Sequence, residues 1–180
     1  MAVATTYTST QKFLHWTLFV LVLLLYALTY GDAFYSRGDP AVAFFWRLHI
    51  SFGLLLAAFV LWRVVLRGLR GAPGLPSEMS APEQAVAKIG HFILYFLLIA
   101  IPVLGILLTW FRGDALSFFG LFTIPAPFAP DRTTARTIRE LHSLCANGIL
   151  IMAGLHGLAA LYHHFIRRDT ILTRMLPGSR

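Results

Sequence analysis

Apolar residues run almost unbroken through three stretches of the chain, Phe13 to Tyr30, Ile89 to Phe111 and Leu141 to Ile166. A fourth, Ala41 to Leu66, is interrupted only by Arg47 and Arg63 near its ends. Each stretch matches or exceeds the roughly 18 residues a helix needs to cross a hydrocarbon layer about 30 Å thick. None carries Asp, Glu or Lys in its central part, where a charge costs most. The pattern predicts an all-α membrane protein, a bundle of four transmembrane helices with both termini on one side. The first stretch lacks a strongly basic leader and a small-residue cleavage site, and it contains His15 and Trp16, so it reads as a retained helix rather than a signal peptide.

Composition agrees with this reading. Of 180 residues, 57% are apolar and only 13% charged, too few to solvate a globule of this size. Lys and Arg divide as nine on the side of the termini (Lys12, Arg63, Arg67, Arg70, Lys88, Arg167, Arg168, Arg174, Arg180) and six on the other (Arg37, Arg47, Arg112, Arg132, Arg136, Arg139). By the positive-inside rule, both termini face the cytoplasm of a bacterial inner membrane. The net charge of +7 belongs to arginines that flank spans with no soluble domain behind them, which fits anionic headgroups and excludes a nucleic-acid role. The basic residues on the outer side can also steer a small anion. The single cysteine, Cys145, lies inside the fourth span and rules out an intrachain disulfide.

Residues 1–180 form one domain, without repeats or low-complexity tracts. Gly71 to Pro82, rich in Gly, Pro and Ser, is predicted to be an exposed inner loop. The outer loop from Arg112 to Glu140 contains an apolar piece, Leu116 to Leu121, too short to span and expected at the outer interface. Pro125, Pro127 and Pro130 keep the next stretch extended. Pro102 and Gly105 predict a local kink in the third span. Trp16, Trp46, Trp62 and Trp110 lie near span ends, as an aromatic belt would place them.

The seven histidines carry the functional signal, because all lie within or at the edge of spans, where ionisable groups are costly and face the bundle interior. His142 and His156 are fourteen residues apart, so they differ by about 40° around the helix and roughly 21 Å along it. They share a face and sit near opposite sides of the membrane. One metal cannot reach both, and a zinc site would need clustered ligands that this sequence does not offer. Two stacked haems fit, each needing a second histidine from another helix at the same depth. Depth pairs His49 with His142 at the outer level and His15 with His156 at the inner level, but His91 lies almost as deep as His15, and depth leaves the choice open. Gly53, Gly148, Gly154 and Gly157 would admit a flat macrocycle, although small residues more commonly serve helix packing. His163, about 20° off the face of His156 and roughly 10 Å further inward, is placed with His91 and His164 to meet a quinone carbonyl or a haem propionate. For His164 the bland role of interfacial anchor is preferred.

These residues resemble the bacterial cytochrome b561 family of four-helix, di-haem, quinone-linked membrane cytochromes. The resemblance is carried by His15-Trp16, by Arg47-Leu48-His49-Ile50-Ser51, and by Gly90-His91 with Ala100-Ile101-Pro102-Val103-Leu104-Gly105. It continues through Leu141-His142-Ser143, Gly154-Leu155-His156, His163-His164, Asp169 and Met175-Leu176-Pro177. It covers nearly the whole chain, and its specificity lies in the order and spacing of motifs that are individually weak. It implies axial ligation of two non-covalent haems b by His15, His49, His142 and His156, deciding against His91. It is similar, further, to the branch that oxidises superoxide outside and passes the electron to ubiquinone.

Two function classes follow. One is a superoxide:ubiquinone oxidoreductase, in which superoxide or another small outer donor supplies the electrons. The other is the haem b membrane subunit of a partner dehydrogenase or hydrogenase, docked through the Arg112 to Glu140 loop. A transporter without a redox cofactor would need paired interrupted spans, which the sequence does not show.

Overall fold

The computed structural model describes residues 6–36, 38–76 and 79–178. Arg37 and Arg180 of the charge count, and Ser77 of the predicted inner loop, lie outside them. Four helices are long and apolar enough to cross a membrane. They are α1 (Ser9–Leu28), α2 (Pro40–Arg70), α3 (Ala81–Phe111) and α4 (Arg132–Tyr162), the last continuing through a π-helical turn at His163–Arg167. The helices begin before the apolar runs because polar caps, rather than hydrophobicity, set their starts. Thr8 and Gln11 form a capping box on α1, as do Ser80 and Glu83 on α3. Asp39 caps α2 just ahead of Pro40, and Asp131 caps α4 by accepting from the N–H groups of Thr133 and Thr134. The predicted loop up to Pro82 therefore stops at Ser80, with Pro82 inside the first turn of α3. α3 runs as helix straight through Pro102.

A core of Leu18, Leu21, Leu25, Leu56 and Val60 joins α1 to α2. Large apolar side chains such as Phe92, Val103, Ile151 and Leu158 stay exposed on the outer surface of the bundle, where lipid would solvate them. The start of α1 and the segment after α4 lie at one end, here called the terminal end. There Trp16 Nε1 donates to the Met175 carbonyl at 3.0 Å, and Gln11 Nε2 donates to the Gly71 carbonyl at 3.0 Å.

At the opposite end the structure departs from an all-helical chain. Leu116–Phe118 (β1) pairs antiparallel with Phe122–Ile124 (β2), in register Leu116↔Ile124 and Phe118↔Phe122. Two successive residues of positive φ, Phe119 at 49° and Gly120 at 76°, turn the hairpin. Its tip is pinned to α2. The buried Ser51 hydroxyl donates to the Ser117 carbonyl at 3.0 Å and accepts from the Phe119 N–H at 2.9 Å, while Phe119 packs edge-on against Phe52. Non-helical backbone is tolerated beside lipid only where its polar groups are satisfied, and one serine meets two of them here.

Ser51→Ala removes the partner of both groups, and an unsatisfied buried group costs about 1–3 kcal/mol. The variant should show faster amide exchange at Phe119 and a lower melting temperature in detergent. Unchanged exchange at Phe119 would mean that the serine does not hold the hairpin. Acid should loosen a different contact. The Thr134 hydroxyl and the N–H groups of Thr134 and Thr133 hold the Asp131 carboxyl below its ordinary range. The ionised cap therefore stabilises α4 above the unfolded aspartate value of about 4 and is lost as pH falls through the depressed one. Amide exchange at Thr133 and Thr134 should rise only on acidification below about 4, and Asp131→Ala should abolish that dependence.

Candidate functional site

The bundle brings together four of the seven histidines as two pairs, one near each end of α4. His49 from α2 faces His142 from α4, with ring centres 6.3 Å apart and planes crossed at 71°. His15 from α1 faces His156 from α4 at 6.2 Å and 70°. Depth pairs His49 with His142 and leaves His15 and His91 open as partners of His156. His91 also reaches His156, at 5.1 Å, but its ring lies on an exposed part of α3 and its Nδ1 bonds the Ala87 carbonyl one turn back at 2.7 Å.

These distances test whether a bis-histidine metal group fits. A metal–imidazole bond of about 2.0–2.1 Å plus roughly 1 Å from nitrogen to ring centre, counted on both sides, separates two axial rings by about 6 Å. The 6.2 and 6.3 Å pairs match that spacing, and the 5.1 Å contact of His91 is about 1 Å too short. Among the described residues no three His, Cys, Asp or Glu side chains gather around a common point, so a zinc-type cluster finds no ligand set.

The surroundings of the His49–His142 pair suit a ligand role. His49 Nδ1 lies 3.0 Å from the Leu25 carbonyl and His142 Nδ1 lies 3.0 Å from the Ile101 carbonyl. A carbonyl can only accept, so each ring carries its proton on Nδ1 and leaves the Nε2 lone pair for a metal. Gly105 permits this approach, because a Cβ there would lie 3.2 Å from His142 Cε1. A Cβ built on Gly53, Gly154 or Gly157 would meet nothing within 4 Å, and one on Gly148 would touch only Leu97, at 3.9 Å. Gly53, Gly154 and Gly157 therefore meet no neighbouring helix, whereas Gly148 packs against Leu97 of α3. Trp110 Nε1, five residues beyond Gly105 on α3, is buried with no hydrogen-bond partner among the described residues. That departs from the wet indole N–H of an aromatic belt and offers a donor to an acidic group of a cofactor. Arg136, Arg139, Glu140 and Ser143 line a cavity of about 600 Å³ near the start of α4.

At the terminal end, Arg63 of α2 reaches the His15–His156 pair, with its NH2 nitrogen 3.4 Å from His15 Nδ1. His163 does not stand free. Its Nδ1 pairs with the Asp169 carboxylate at 2.5 Å, across the π-helical turn. Burial pushes the Asp169 carboxyl up, but the Ile171 N–H and His163 outweigh it and hold the group below the usual carboxylate range. Arg167 bridges to Glu83 at 3.5 Å beside them. His164 packs edge-on against Phe165 and lies away from both pairs. Sequence reasoning missed Ser51 and Arg63 as site residues, although both stand on α2, the helix that carries His49, and a polar residue in an apolar span is the signal that could have found them.

Comparison with known proteins places this arrangement. The family model for prokaryotic cytochrome b561 matches residues 6–178. The chain belongs to that family. It is 30% identical over 175 residues to a probable superoxide oxidase, CybB, of Yersinia pestis, covering 97% of each chain. It is 35% identical over 162 residues to cytochrome b561 homolog 2 of Escherichia coli, covering 90% of this chain and 82% of that one. A cytochrome b562 of Cereibacter sphaeroides is 30% identical over 177 residues, 94% of each. The protein is thus a multi-pass bacterial membrane cytochrome of oxidoreductase type, and membership implies b-type haem.

Gly105→Ala would press on the His142 ring and force it to shift by a few tenths of an ångström, straining one pair only. A perturbed low-spin electron paramagnetic resonance signal of the haem-loaded protein is the expected outcome. An unchanged spectrum would show that Gly105 does not set the position of His142.

Proposed function

We propose that this cytochrome holds two haems b, one between His49 and His142 and one between His15 and His156, and that it carries electrons from superoxide to ubiquinone. The observation that carries this reading is the pair of 6.3 and 6.2 Å histidine contacts at the two ends of α4. Bound at those positions, the haems supply one-electron storage within tunnelling reach of each face of the membrane. Both termini lie in the cytoplasm on this reading, in line with the nine-to-six distribution of basic residues. Each superoxide gives up one electron at the outer face and leaves as dioxygen. Two such electrons and two protons convert one ubiquinone to ubiquinol.

Arg136 and Arg139 line the cavity at the outer end, where an arriving anion would be attracted and where Glu140 engages Arg136 at 3.4 Å. His49 with His142, and His15 with His156, would each hold one haem, which would supply one-electron transfer there without binding an oxygen species. At the inner end the His163–Asp169 pair, with Glu83 and His91 near it, supplies titratable groups to a quinone that must take up protons. The likeness to a protein named a probable superoxide oxidase supports the donor assignment.

The purified protein should contain two haems b per chain by pyridine haemochrome and should reduce a short-chain ubiquinone when superoxide is generated in the medium. His142→Ala should lose one haem and keep the other, whereas His91→Ala should keep both. Two haems retained in His142→Ala would overturn the ligand assignment. A two-haem protein that ignores superoxide but is reduced by a co-purifying dehydrogenase or hydrogenase would overturn the donor.

A further inference from the structure

The two histidine pairs differ in what faces the second nitrogen of each ring. At the outer pair, main-chain carbonyls of Leu25 and Ile101 take both Nδ1 protons at 3.0 Å. Such acceptors raise electron density on the ring and make it a stronger donor to an oxidised metal. At the inner pair there is no carbonyl acceptor. His156 makes no hydrogen bond among the described residues, and His15 Nδ1 faces the Arg63 guanidinium at 3.4 Å.

Arg63 cannot lose its proton, so its charge is fixed. It is held by the Gln11 carbonyl, 3.3 Å from NH1, and by the face of Tyr95, whose ring centre lies 5.7 Å from the guanidinium carbon. No carboxylate pairs with it among the described residues, so its charge is not cancelled locally. An imidazole committed to a metal through Nε2 keeps its proton on Nδ1, and 3.4 Å is long for a hydrogen bond; Arg63 therefore acts on the pair through charge. A fixed positive charge beside a one-electron centre favours the state with one positive charge fewer, the reduced one. Carbonyl dipoles at the outer rings favour the opposite state.

We propose that Arg63 makes the His15–His156 site the more readily reduced of the two, so that an electron entering at the His49–His142 site passes downhill to the inner face. This rests on the two-haem reading above. In the transfer the outer site is oxidised by one electron and the inner site reduced by the same electron, with no bond made or broken. Arg63 is a tuning residue that touches neither substrate.

The test is a redox titration of the two-haem protein in detergent, followed optically and by electron paramagnetic resonance, with no superoxide or quinone present. The wild type should titrate in two steps, and the single haem left in His142→Ala should follow the higher one. Arg63→Gln should lower the higher step by at least a tenfold change in the electron-sharing ratio, about 59 mV, and leave the lower step in place. Arg63→Lys should restore most of the difference, with low-spin signals unchanged throughout. A higher step that does not move in Arg63→Gln, or a haem in His142→Ala that follows the lower step, would overturn the proposal. Fewer than two haems in the wild type would overturn the two-site reading from which it starts.

Discussion

Hydrocarbon offers no hydrogen bonds, so polar atoms placed among the lipid-facing helices find their partners within the chain, with Trp110 Nε1 an exception among the described residues. The architecture is organised around those pairings. The Leu25 carbonyl, in the last turn of α1, and the Ile101 carbonyl of α3 face His49 and His142. The Thr109 hydroxyl returns to the Gly105 carbonyl at 2.9 Å, and Tyr26 reaches Asn147 across α1 and α4 at 2.9 Å. Ser51 closes the hairpin tip in the same way. Since leucine packing against lipid tails gains little over leucine packing against another helix, such polar contacts fix which helix faces which.

That constraint also decides what a histidine does at depth. Two imidazoles 6.2 or 6.3 Å apart, with crossed planes, are too far apart to bond each other directly, and two of the four have one nitrogen already committed to a carbonyl. A structural histidine would be expected to use both polar atoms. The other ring nitrogens of His49 and His142 have no hydrogen-bond partner among the described residues and are available to a ligand. Membership of a b-type cytochrome family supplies a group of the right chemistry.

Much of this was legible from residue order alone. Spans and pairing levels follow from length and from 1.5 Å per residue, which is why His142 and His156 on one face already implied two sites. Three features were not legible. The Leu116–Ile124 hairpin hides in an apolar piece whose short alternation cannot be told from an interfacial segment, and its anchor lies 66 residues earlier in the chain. His91 could not be separated from His15 by depth, because the distinction lies in a ring separation of 5.1 against 6.2 Å. The approach of Arg63 to His15 depends on the mutual rotation of α1 and α2, which their common apolar character leaves unspecified. The glycines misled in the other direction: small residues suggest close helix packing, and only the surrounding space shows that no neighbouring backbone lies against Gly53, Gly154 or Gly157.

The two ends of the bundle are built for different chemistry. The end with the hairpin is closed by backbone pairing and by one serine, and there Arg47, Arg112, Arg132, Arg136 and Arg139 lie among Asp39, Asp114, Asp131 and Glu140, with Glu140 and Asp114 engaged by Arg136 and Arg112. The terminal end is laced by the tail of the chain: Trp16 holds the Met175 carbonyl, Arg174 holds the Gly74 carbonyl at 2.8 Å, and His163–Asp169 and Arg167–Glu83 lie between. On the proposed reading, Arg136 and Arg139 at the first end would attract a donor that carries a negative charge and releases no proton. A quinone at the second end, which must receive two protons for every two electrons, would meet imidazole and carboxylate groups there that can pass protons on.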